Sequence, residues 1–297
     1  MRILIAIDGS PQSTYAVQAV GHFRSCEEVI LVHALALPDL DHPMITPELR
    51  DRVLSEVRDE LTKKGEAWLD QAMGLLPQDI GPIHRIHEIG HPSEVILETA
   101  QAGHADLVVL GARGLGPVQE LLLGSVSHRV LLHAPCSTWV IRTPLQTLQH
   151  VLIPVEGEED ASRIFGVLTK LPFRTRPKVT VMTVWPQPQL PWPITFQQSR
   201  LLEERALEHA QNMIDTLARR LQDHHFTTAT VVGLGDPAFA ILEQARASKP
   251  DLLLVGSHGR KGLTRFLLGS VSHTLVHHAP CPVLVVRDRL SQQRSRH

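Results

Sequence analysis

The chain has 297 residues, of which 43% are hydrophobic, 20% charged and 4% aromatic. This composition predicts a globular protein of about two domains and excludes a disordered chain, a collagen-like fibre and a coiled-coil rod. Three cysteines are too few for a disulfide framework, no apolar run reaches the roughly 20 residues of a membrane span, and the first apolar run meets Asp8 too early for a secretory signal. The net charge is −2, and no concentrated basic stripe is present. We therefore expect a cytoplasmic protein that binds neither nucleic acid nor a membrane.

Apolar runs and amphipathic segments alternate through the first half of the chain, and they predict strands and helices respectively. The predicted strands are 3–7, 29–37, 83–89, 107–111 and 137–142. Four helices are predicted. The first follows the turn signal Asp8-Gly9-Ser10, the second covers about 47–73, the third begins at Pro92, and the fourth covers about 118–133.

The second half of the chain repeats the first. Residues 103–142 align with 248–287 without a gap and are identical at 17 of 40 positions, and RILIAIDGS at 2–10 corresponds to HVLIPVEGE at 150–158. A period of about 148 residues is far too long for a solenoid repeat. The sequence therefore contains two copies of one domain.

The two copies predict an α/β fold in two tandem domains, 1–146 and 147–297, with TPLQTLQ (143–149) as the linker. Strands made of uninterrupted Val, Ile and Leu are typical of a parallel sheet that is buried on both faces. With right-handed crossovers, each copy becomes a doubly wound, three-layer domain around a five-stranded parallel sheet. Ligands of such sheets bind beyond the carboxyl ends of the strands, where the strand order reverses.

A glycine pattern follows the fourth strand of each copy, at the end of the sheet where a ligand is expected. The spacing is G-x2-G-x9-G-S in both copies, and Val-Ser follows each time. Glycine lets a bulky group approach the backbone closely. The segment Gly-Ser-Val-Ser can open the next helix with Ser as its cap, and the amide N–H groups of a helix start attract anions such as phosphate.

The alternative for this pattern is structural: the glycines would only end a strand and cap a helix. If the pattern binds an anion instead, the Ser hydroxyls beside the glycines would add hydrogen-bond donors for phosphate oxygens. Because the nine-residue spacer and the Ser-Val-Ser segment are repeated in both copies, anion binding is the favoured interpretation.

These motifs resemble those of the universal stress protein family in its tandem two-domain form, over nearly the whole chain. The resemblance rests on the glycine motifs, on Asp8 after the first strand, on Gly-x-Pro at 90–92 and 235–237, and on the APC tripeptide before each last strand. In that family, G-x2-G-x9-G-S marks the ATP-binding branch. The resemblance implies that the ligand is ATP, alone or with Mg²⁺.

Carried over by position, the resemblance implies that both motifs contact ribose and phosphates through Gly111, Gly114, Gly124, Ser125, Val126, Ser127, Gly256, Gly259, Gly269, Ser270, Val271 and Ser272. It places Asp8 at the nucleoside, and Ala34 and Val184 at the adenine.

The second copy departs from the family pattern, since Glu156 stands where the family has Asp. The longer side chain can still form a hydrogen bond but displaces the carboxylate, which favours the first copy as a nucleotide site. The basic residues favour the second copy, where Arg260, Lys261 and Arg265 flank the loop, against Arg113 alone in the first. The order of the two sites stays open.

The resemblance further implies an internal pseudo-dimer in which the last strands, 137–142 and 282–287, pair with each other. An independent reason is that an exposed apolar edge strand invites aggregation. Assembly of the whole chain into a homodimer stays open.

Motifs of fast chemistry are missing from the sequence: it has no G-x4-G-K-[ST], no G-x-G-x-x-G after the first strand and no G-x-S-x-G. No general base accompanies the glycine loops, so no catalytic residue is predicted. We expect an ATP-binding stress-response or regulatory protein with slow or no hydrolysis, whose nucleotide occupancy controls conformation or a regulatory protein partner. An adenine-nucleotide hydrolase and a scaffold with vestigial sites stay open.

Histidines and cysteines carry no predicted site. His273 and His277 are four residues apart on a predicted helix, but the first copy has no equivalent pair and no further ligand completes a metal site. Cys136 and Cys281 precede or open the last strands, where a buried and unreactive thiol is expected.

Overall fold

The computed structural model describes residues 1–42, 44–114, 123–186, 196–257 and 268–287. The chain divides into two compact units, Met1–Pro144 (unit 1) and Leu145–His297 (unit 2). The division falls in the predicted linker, of which Leu145 and Leu148 are buried.

Unit 1 alternates strands and helices. In chain order it contains β1 (Arg2–Ala6), α1 (Pro11–Val20), β2 (Glu28–Leu35), α2 (Pro47–Leu75), β3 (Ile83–Ile89), α3 (Pro92–Ala102), β4 (Leu107–Gly111), α4 (Ser125–His133) and β5 (Ser137–Ile141).

Unit 2 repeats that order. It contains β6 (His150–Pro154), α5 (Glu158–Leu168), β7 (Lys178–Trp185), α6 (Phe196–Asp223), β8 (Thr228–Leu234), α7 (Pro237–Ser248), β9 (Leu252–Gly256), α8 (Ser270–His278) and β10 (Val283–Val286).

Each unit forms a five-stranded parallel sheet, as the apolar strand patterns predict. The strand order is β3-β2-β1-β4-β5 in unit 1 and β8-β7-β6-β9-β10 in unit 2. The chain moves outward from β1 to β3 and then returns to β4 on the other side of β1. The order therefore reverses between β1 and β4, and between β6 and β9 in unit 2, and these reversals are the switch points where such sheets bind ligands.

Helices cover both faces of each sheet. In unit 1, α1 packs against α2 and α3 packs against α4, and unit 2 repeats this with α5 against α6 and α7 against α8. With right-handed crossovers the two pairs of a unit lie on opposite faces. The central strands are consequently buried on both sides, and Ile3, Leu4 and Ile5 of β1 have no exposed surface.

Local signals in the sequence fix where several helices begin. Pro11, Pro47 and Pro92 each stand at the start of a helix, where their missing N–H costs nothing. The hydroxyls of Ser10 and Thr46 accept hydrogen bonds from the first turns of α1 and α2.

One predicted boundary is wrong. The pattern predicts a helix from about residue 118, but Leu123 and Gly124 are not helical and α4 begins at Ser125. In the sequence, the spacing of the apolar residues before Gly124 is typical of a helix. Gly124 itself is not helical, because its ψ of 157° is extended. Residues 115–122 lie outside the described part of the chain.

Candidate functional site

The carboxyl ends of β1 and β4 lie side by side at the switch point of unit 1, and α1 crosses them closely. A Cβ added to Gly111 would lie 2.7 Å from the Cβ of Gln12 and 2.8 Å from its carbonyl carbon. Real side chains do not approach backbone that closely, so the first turn of α1 requires a glycine at the end of β4. Packing inside the unit therefore accounts for Gly111.

Asp8 lies between this turn and the loop that follows β4. Its Oδ1 accepts a hydrogen bond of 2.9 Å from the backbone N–H of Ser10, across Gly9, whose φ of +77° favours glycine. A Cβ added to Gly114 would overlap Oδ2 of the same carboxylate. The structure thus brings Asp8 and Gly114 together at the switch point, and it leaves no room for a side chain between them.

The start of α4 faces this loop, and the N–H groups of its first turn have no side-chain partner in the part of the chain that the structure describes. Gly124 is the N-cap residue, so the prediction that a serine stands there as the cap is wrong, and no side chain among the described residues caps the helix. Its own N–H donates to the carbonyl of Ala112 at 2.8 Å, which fixes the helix start against the loop. A Cβ added to Gly124 would lie 3.5 Å from the nearest described atoms, the carbonyl oxygen of Ala112 and the Cα of Arg113, so neither packing against these residues nor a positive φ requires glycine here.

The two serines of the motif have different surroundings. Ser125 is exposed at the first position of α4, whereas Ser127 is buried and its hydroxyl donates to the carbonyl of Gly111 at 2.7 Å. A hydroxyl has one proton to donate. Ser127 can therefore offer a phosphate its backbone N–H, while Ser125 and the half-buried Val126 can offer theirs as well.

Two arginines stand at the same end of the unit 1 sheet. Arg113 belongs to the loop after β4, and Arg142 follows β5 directly. Burial, and next the nearby charge of Arg113, lower the pKa of Arg142. Guanidinium groups keep their charge in proteins, so a bound anion would relieve this repulsion. Arg142 was not predicted from the sequence, although the repeat contains a signal for it: Arg287 follows β10 in the same way.

An aromatic and imidazole cluster lies behind Asp8 and Gly9. The Trp68 indole of α2 packs on the backbone of Gly9, where a Cβ would overlap it. The His33 ring meets Trp68 edge-on with centroids 5.3 Å apart and lies 5.0 Å from the His87 ring. Nδ1 of His33 is hydrogen bonded to the carbonyl of Ile7 at 2.7 Å. This cluster therefore supports the backbone of Gly9, next to Asp8, from the side of α2. It was not predicted from the sequence.

Unit 2 repeats the helix-start geometry of unit 1. Gly269 is the N-cap of α8, again without a side-chain cap, and its N–H donates to the carbonyl of Ser257 at 2.9 Å. The hydroxyl of the buried Ser272 donates to the carbonyl of Gly256 at 2.6 Å, while Ser270 is exposed and Val271 half-buried. Gly259 and Arg260, together with Lys261 and Arg265, lie outside the described residues.

In unit 2, an acidic group that was not predicted packs on the glycine that ends β9, and Gly259, the counterpart of Gly114, lies outside the described residues. Glu156 is exposed, whereas Asp160 in the first turn of α5 reaches the end of β9, and a Cβ added to Gly256 would overlap its Oδ1. Burial raises the pKa of the Asp160 carboxyl to about 6. Asp160 stands at the position that Gln12 holds in unit 1, four residues after the acidic residue that follows the first strand.

The two positions expected at the adenine are equivalent in the structure. Ala34 pairs with Glu88 across β2 and β3, and Val184 pairs with Gly233 across β7 and β8. Both are half-buried near the carboxyl end of their strand. Ala34 packs against the core under α3, so its exposed part is the only surface it offers to a base.

The remaining candidates form no site in the described part of the chain. The rings of His273 and His277 are 4.4 Å apart, but no cluster of three His, Cys, Asp or Glu side chains suited to a metal ion occurs among the described residues. The three cysteines are buried, and burial raises the pKa of the Cys281 thiol to about 12. None of the helices described is apolar over a length that could span a bilayer.

The model of the universal stress protein family matches the chain twice, over residues 1–142 and 147–287. The chain belongs to this family. The two matches cover the repeat that the sequence shows, and each contains one switch point with its glycine loop and uncapped helix.

Universal stress proteins of mycobacteria match along the whole chain. A protein from Mycolicibacterium smegmatis is 27% identical over 303 residues, with 97% of each chain covered. Universal stress protein MT2052 of Mycobacterium tuberculosis is 30% identical over 315 residues, with 96% of this chain and 94% of the relative covered. Among solved structures, a universal stress protein from Archaeoglobus fulgidus has a TM-score of 0.65 at 18% identity and covers 96% of this chain and 98% of its own, which shows a shared fold.

Proposed function

We propose that this universal stress protein binds an adenine nucleotide at each switch point and acts as a regulatory protein rather than a fast enzyme. The observation that carries the proposal is the pair of uncapped helix starts, Gly124 before α4 and Gly269 before α8, each tethered by its own N–H to the glycine loop. Ser10 caps α1 and Asp236 caps α7, whereas α3 and α5 also begin without a side-chain cap but are not tethered in this way to a glycine loop. Free N–H groups that a side chain could have capped are suited to phosphate oxygens.

The residues present fit a polyphosphate in unit 1. The N–H groups of Ser125, Val126 and Ser127 would hold the phosphates, and a ligand can reach them because Gly124 carries no side chain in the space that a Cβ would take. The arginine pair of Arg113 and Arg142 would supply positive charge at the same end of the sheet. ATP, alone or with Mg²⁺, would supply the negative charge that these groups lack.

The nucleoside would lie toward Asp8. Its carboxylate is already fixed by the N–H of Ser10, so it would hold a ribose hydroxyl without losing freedom on binding. Ala34 and Val184 are proposed for the adenine side of their sites. A role for nucleotide occupancy in stress signalling or in recruiting a regulatory protein follows from this proposal, and the cytoplasm remains the proposed location.

Calorimetric titration of the purified protein with ATP tests the proposal. Two binding sites are expected, and Gly124→Asp or Gly269→Asp should each remove one. Aspartate is a preferred N-cap, so its carboxylate would occupy the free N–H groups and repel phosphate while the helix stays as stable as before. Gly74→Asp is the matched control, because Gly74 is exposed on α2 with nothing within 4 Å of an added Cβ.

Phosphate release, measured against the background without protein, separates the alternatives. Turnover of about one per second or faster would favour an adenine-nucleotide hydrolase. No binding at millimolar ATP, with or without Mg²⁺, would refute the proposal and favour a scaffold with vestigial sites.

A further inference from the structure

The half-buried acid of unit 2, Asp160, occupies a position where unit 1 has a neutral side chain. Asp160 lies in the first turn of α5 and Gln12 in the first turn of α1, and each side chain packs on the glycine that ends the fourth strand of its unit, Gly256 or Gly111. Each of these glycines is also tied to the proposed anion site. Ser272 of α8 donates to the Gly256 carbonyl, and Ser127 of α4 donates to the Gly111 carbonyl.

The Asp160 carboxyl has few partners. Oδ2 accepts a hydrogen bond of 3.3 Å from the backbone N–H of Glu156. Oδ1 is buried and has no hydrogen-bond partner among the described residues, on the side where it touches Gly256. A buried carboxylate oxygen without a donor is costly when charged, and its cost falls when the group takes up a proton.

The charged groups near Asp160 in the described part of the chain do not supply the missing partner; Arg260, Lys261 and Arg265 of the loop after β9 lie outside it. From its own helix, Glu159 and Arg163 act on it with opposite signs and pair with each other at 2.9 Å, and Glu156 adds a further negative charge. Strand β9 carries no charged side chain, and β10 carries none before Arg287, which follows it. Burial outweighs the attraction of Arg163, so the pKa of Asp160 rises to about 6.

Resting on the proposed function, we infer that Asp160 couples nucleotide binding in unit 2 to the uptake of a proton. A polyphosphate at the start of α8 would lie near Gly256, which the Asp160 carboxyl also touches. Two negative charges in such proximity repel each other. Protonation of the carboxyl removes one of them. Unit 2 therefore binds its nucleotide more tightly at mildly acidic pH, while unit 1, with the uncharged Gln12, lacks this dependence.

The size of the effect follows from proton linkage. Above the pKa of the free carboxyl, a ligand that binds only the protonated form loses up to tenfold in affinity for each pH unit. Between pH 5.5 and 7.5 the affinity of unit 2 for ATP should fall about tenfold more than that of unit 1. The terminal phosphate of ATP also titrates near pH 6, but that change is common to both units.

The experiment is calorimetric titration with ATP, with EDTA present to exclude metal ions, at pH 5.5, 6.5 and 7.5. Gly124→Asp leaves unit 2 as the site measured, and Gly269→Asp leaves unit 1. Each is combined with the reciprocal exchange, Asp160→Asn in the first case and Gln12→Asp in the second. Titrations in buffers of different ionisation enthalpy count the protons taken up.

Support would consist of proton uptake by unit 2 that Asp160→Asn abolishes, with the tight binding of acidic pH retained at pH 7.5. Gln12→Asp should create the same dependence in unit 1. An equal pH slope in the two units, or a slope in unit 2 that Asp160→Asn leaves unchanged, would overturn the inference. A unit 2 that binds no ATP at any pH while unit 1 does would overturn it as well. Absence of binding in both units at every pH would instead refute the proposed function.

Discussion

Among the described residues, the acidic group that contacts a motif glycine comes from a different element in each unit, and Gly259, the counterpart of Gly114, lies outside them. In unit 1 it is Asp8, which follows β1 and lies against Gly114; in unit 2 it is Asp160 of α5, which lies against Gly256, while Glu156 is exposed. The helix starts and their tethers are the same in both units. A duplicated helix start can therefore keep its backbone hydrogen bonds while the charges around it diverge. The local charge is set by side chains of adjacent elements and not by the repeated backbone.

The largest expected effect concerns the first glycine of the motif. Gly111→Ala should lower the free energy of unfolding by about 3 kcal/mol, and Gly256→Ala by about 1 kcal/mol. In unit 1 the added methyl meets backbone atoms of Gln12 and Ser13, which cannot move alone, whereas in unit 2 it meets the Asp160 carboxyl, which can rotate. Urea denaturation of both variants and of wild type gives the two values, and equal costs would contradict the comparison.

The next prediction concerns Asp160 itself. Asp160→Asn should raise the free energy of unfolding by about 2 kcal/mol at pH 8, because the unfolded carboxyl ionises near its ordinary pKa while burial raises the folded pKa to about 6. Below pH 4 the carboxyl is protonated in both states, so the gain should vanish there. Denaturation at pH 4, 6 and 8 measures it, and a gain that does not change with pH would show that the carboxyl is not the cause.

A smaller effect is expected at the arginine pair. Arg142→Gln should weaken ATP binding to unit 1 about tenfold, since one of two cations near the phosphates is lost. Arg129→Gln is the matched control: Arg129 lies on α4, close to the site in sequence, but pairs with Glu94 at 3.1 Å on the surface. Titration in the Gly269→Asp background compares them, and an equal loss in the control would place Arg142 outside the site.

The smallest expected effect concerns His87, and its pH dependence is opposite to that of Asp160, because stability is lost as the pH falls. Burial, and next the charge of His33, lower the pKa of His87, so its folded form resists protonation and unit 1 should lose stability as the pH falls through 6.5. His87→Val, which introduces the residue found at the equivalent position of unit 2, should reduce this loss. Denaturation of wild type and variant at pH 7.5 and 5.5 checks it, and an unchanged difference between the two pH values would exclude His87 as the source.

The repeat allowed much of the fold to be predicted. Uninterrupted apolar runs predicted β4 at 107–111, and alternation predicted β3 at 83–89, with the bounds that the structure has. Strands buried on both faces must be apolar throughout, which makes them easy to find. The start of α4 was predicted too early, since the apolar period before Gly124 resembles a helix in the sequence. Its backbone conformation is set by the tether to Ala112, which the sequence does not show.

The candidate site could be predicted in part. Equal spacing of the glycines in both copies pointed to Gly124 and Gly269 and to the serines beside them, and their roles in nucleotide binding remain a proposal. Trp68 and Asp160 were missed because each reaches the site from an element distant from the glycine loop in sequence and belongs to no motif, whereas Arg142 was missed although the repeat marks it through Arg287.

By itself, the sequence determined the two-domain organisation, the α/β fold and the end of each sheet at which a ligand is expected, because these follow from periodicity, from internal repetition and from the geometry of parallel sheets. Only the tertiary structure decided which glycine is required by packing, as Gly111 is, and which has neighbours only at ordinary contact distance among the described residues, as Gly124 does. It also decided which acid contacts a motif glycine among the described residues, Asp8 at Gly114 and Asp160 at Gly256. Both depend on distances between elements far apart in the chain, and the close approach of α1 to β4, or of α5 to β9, is fixed only when the core packs.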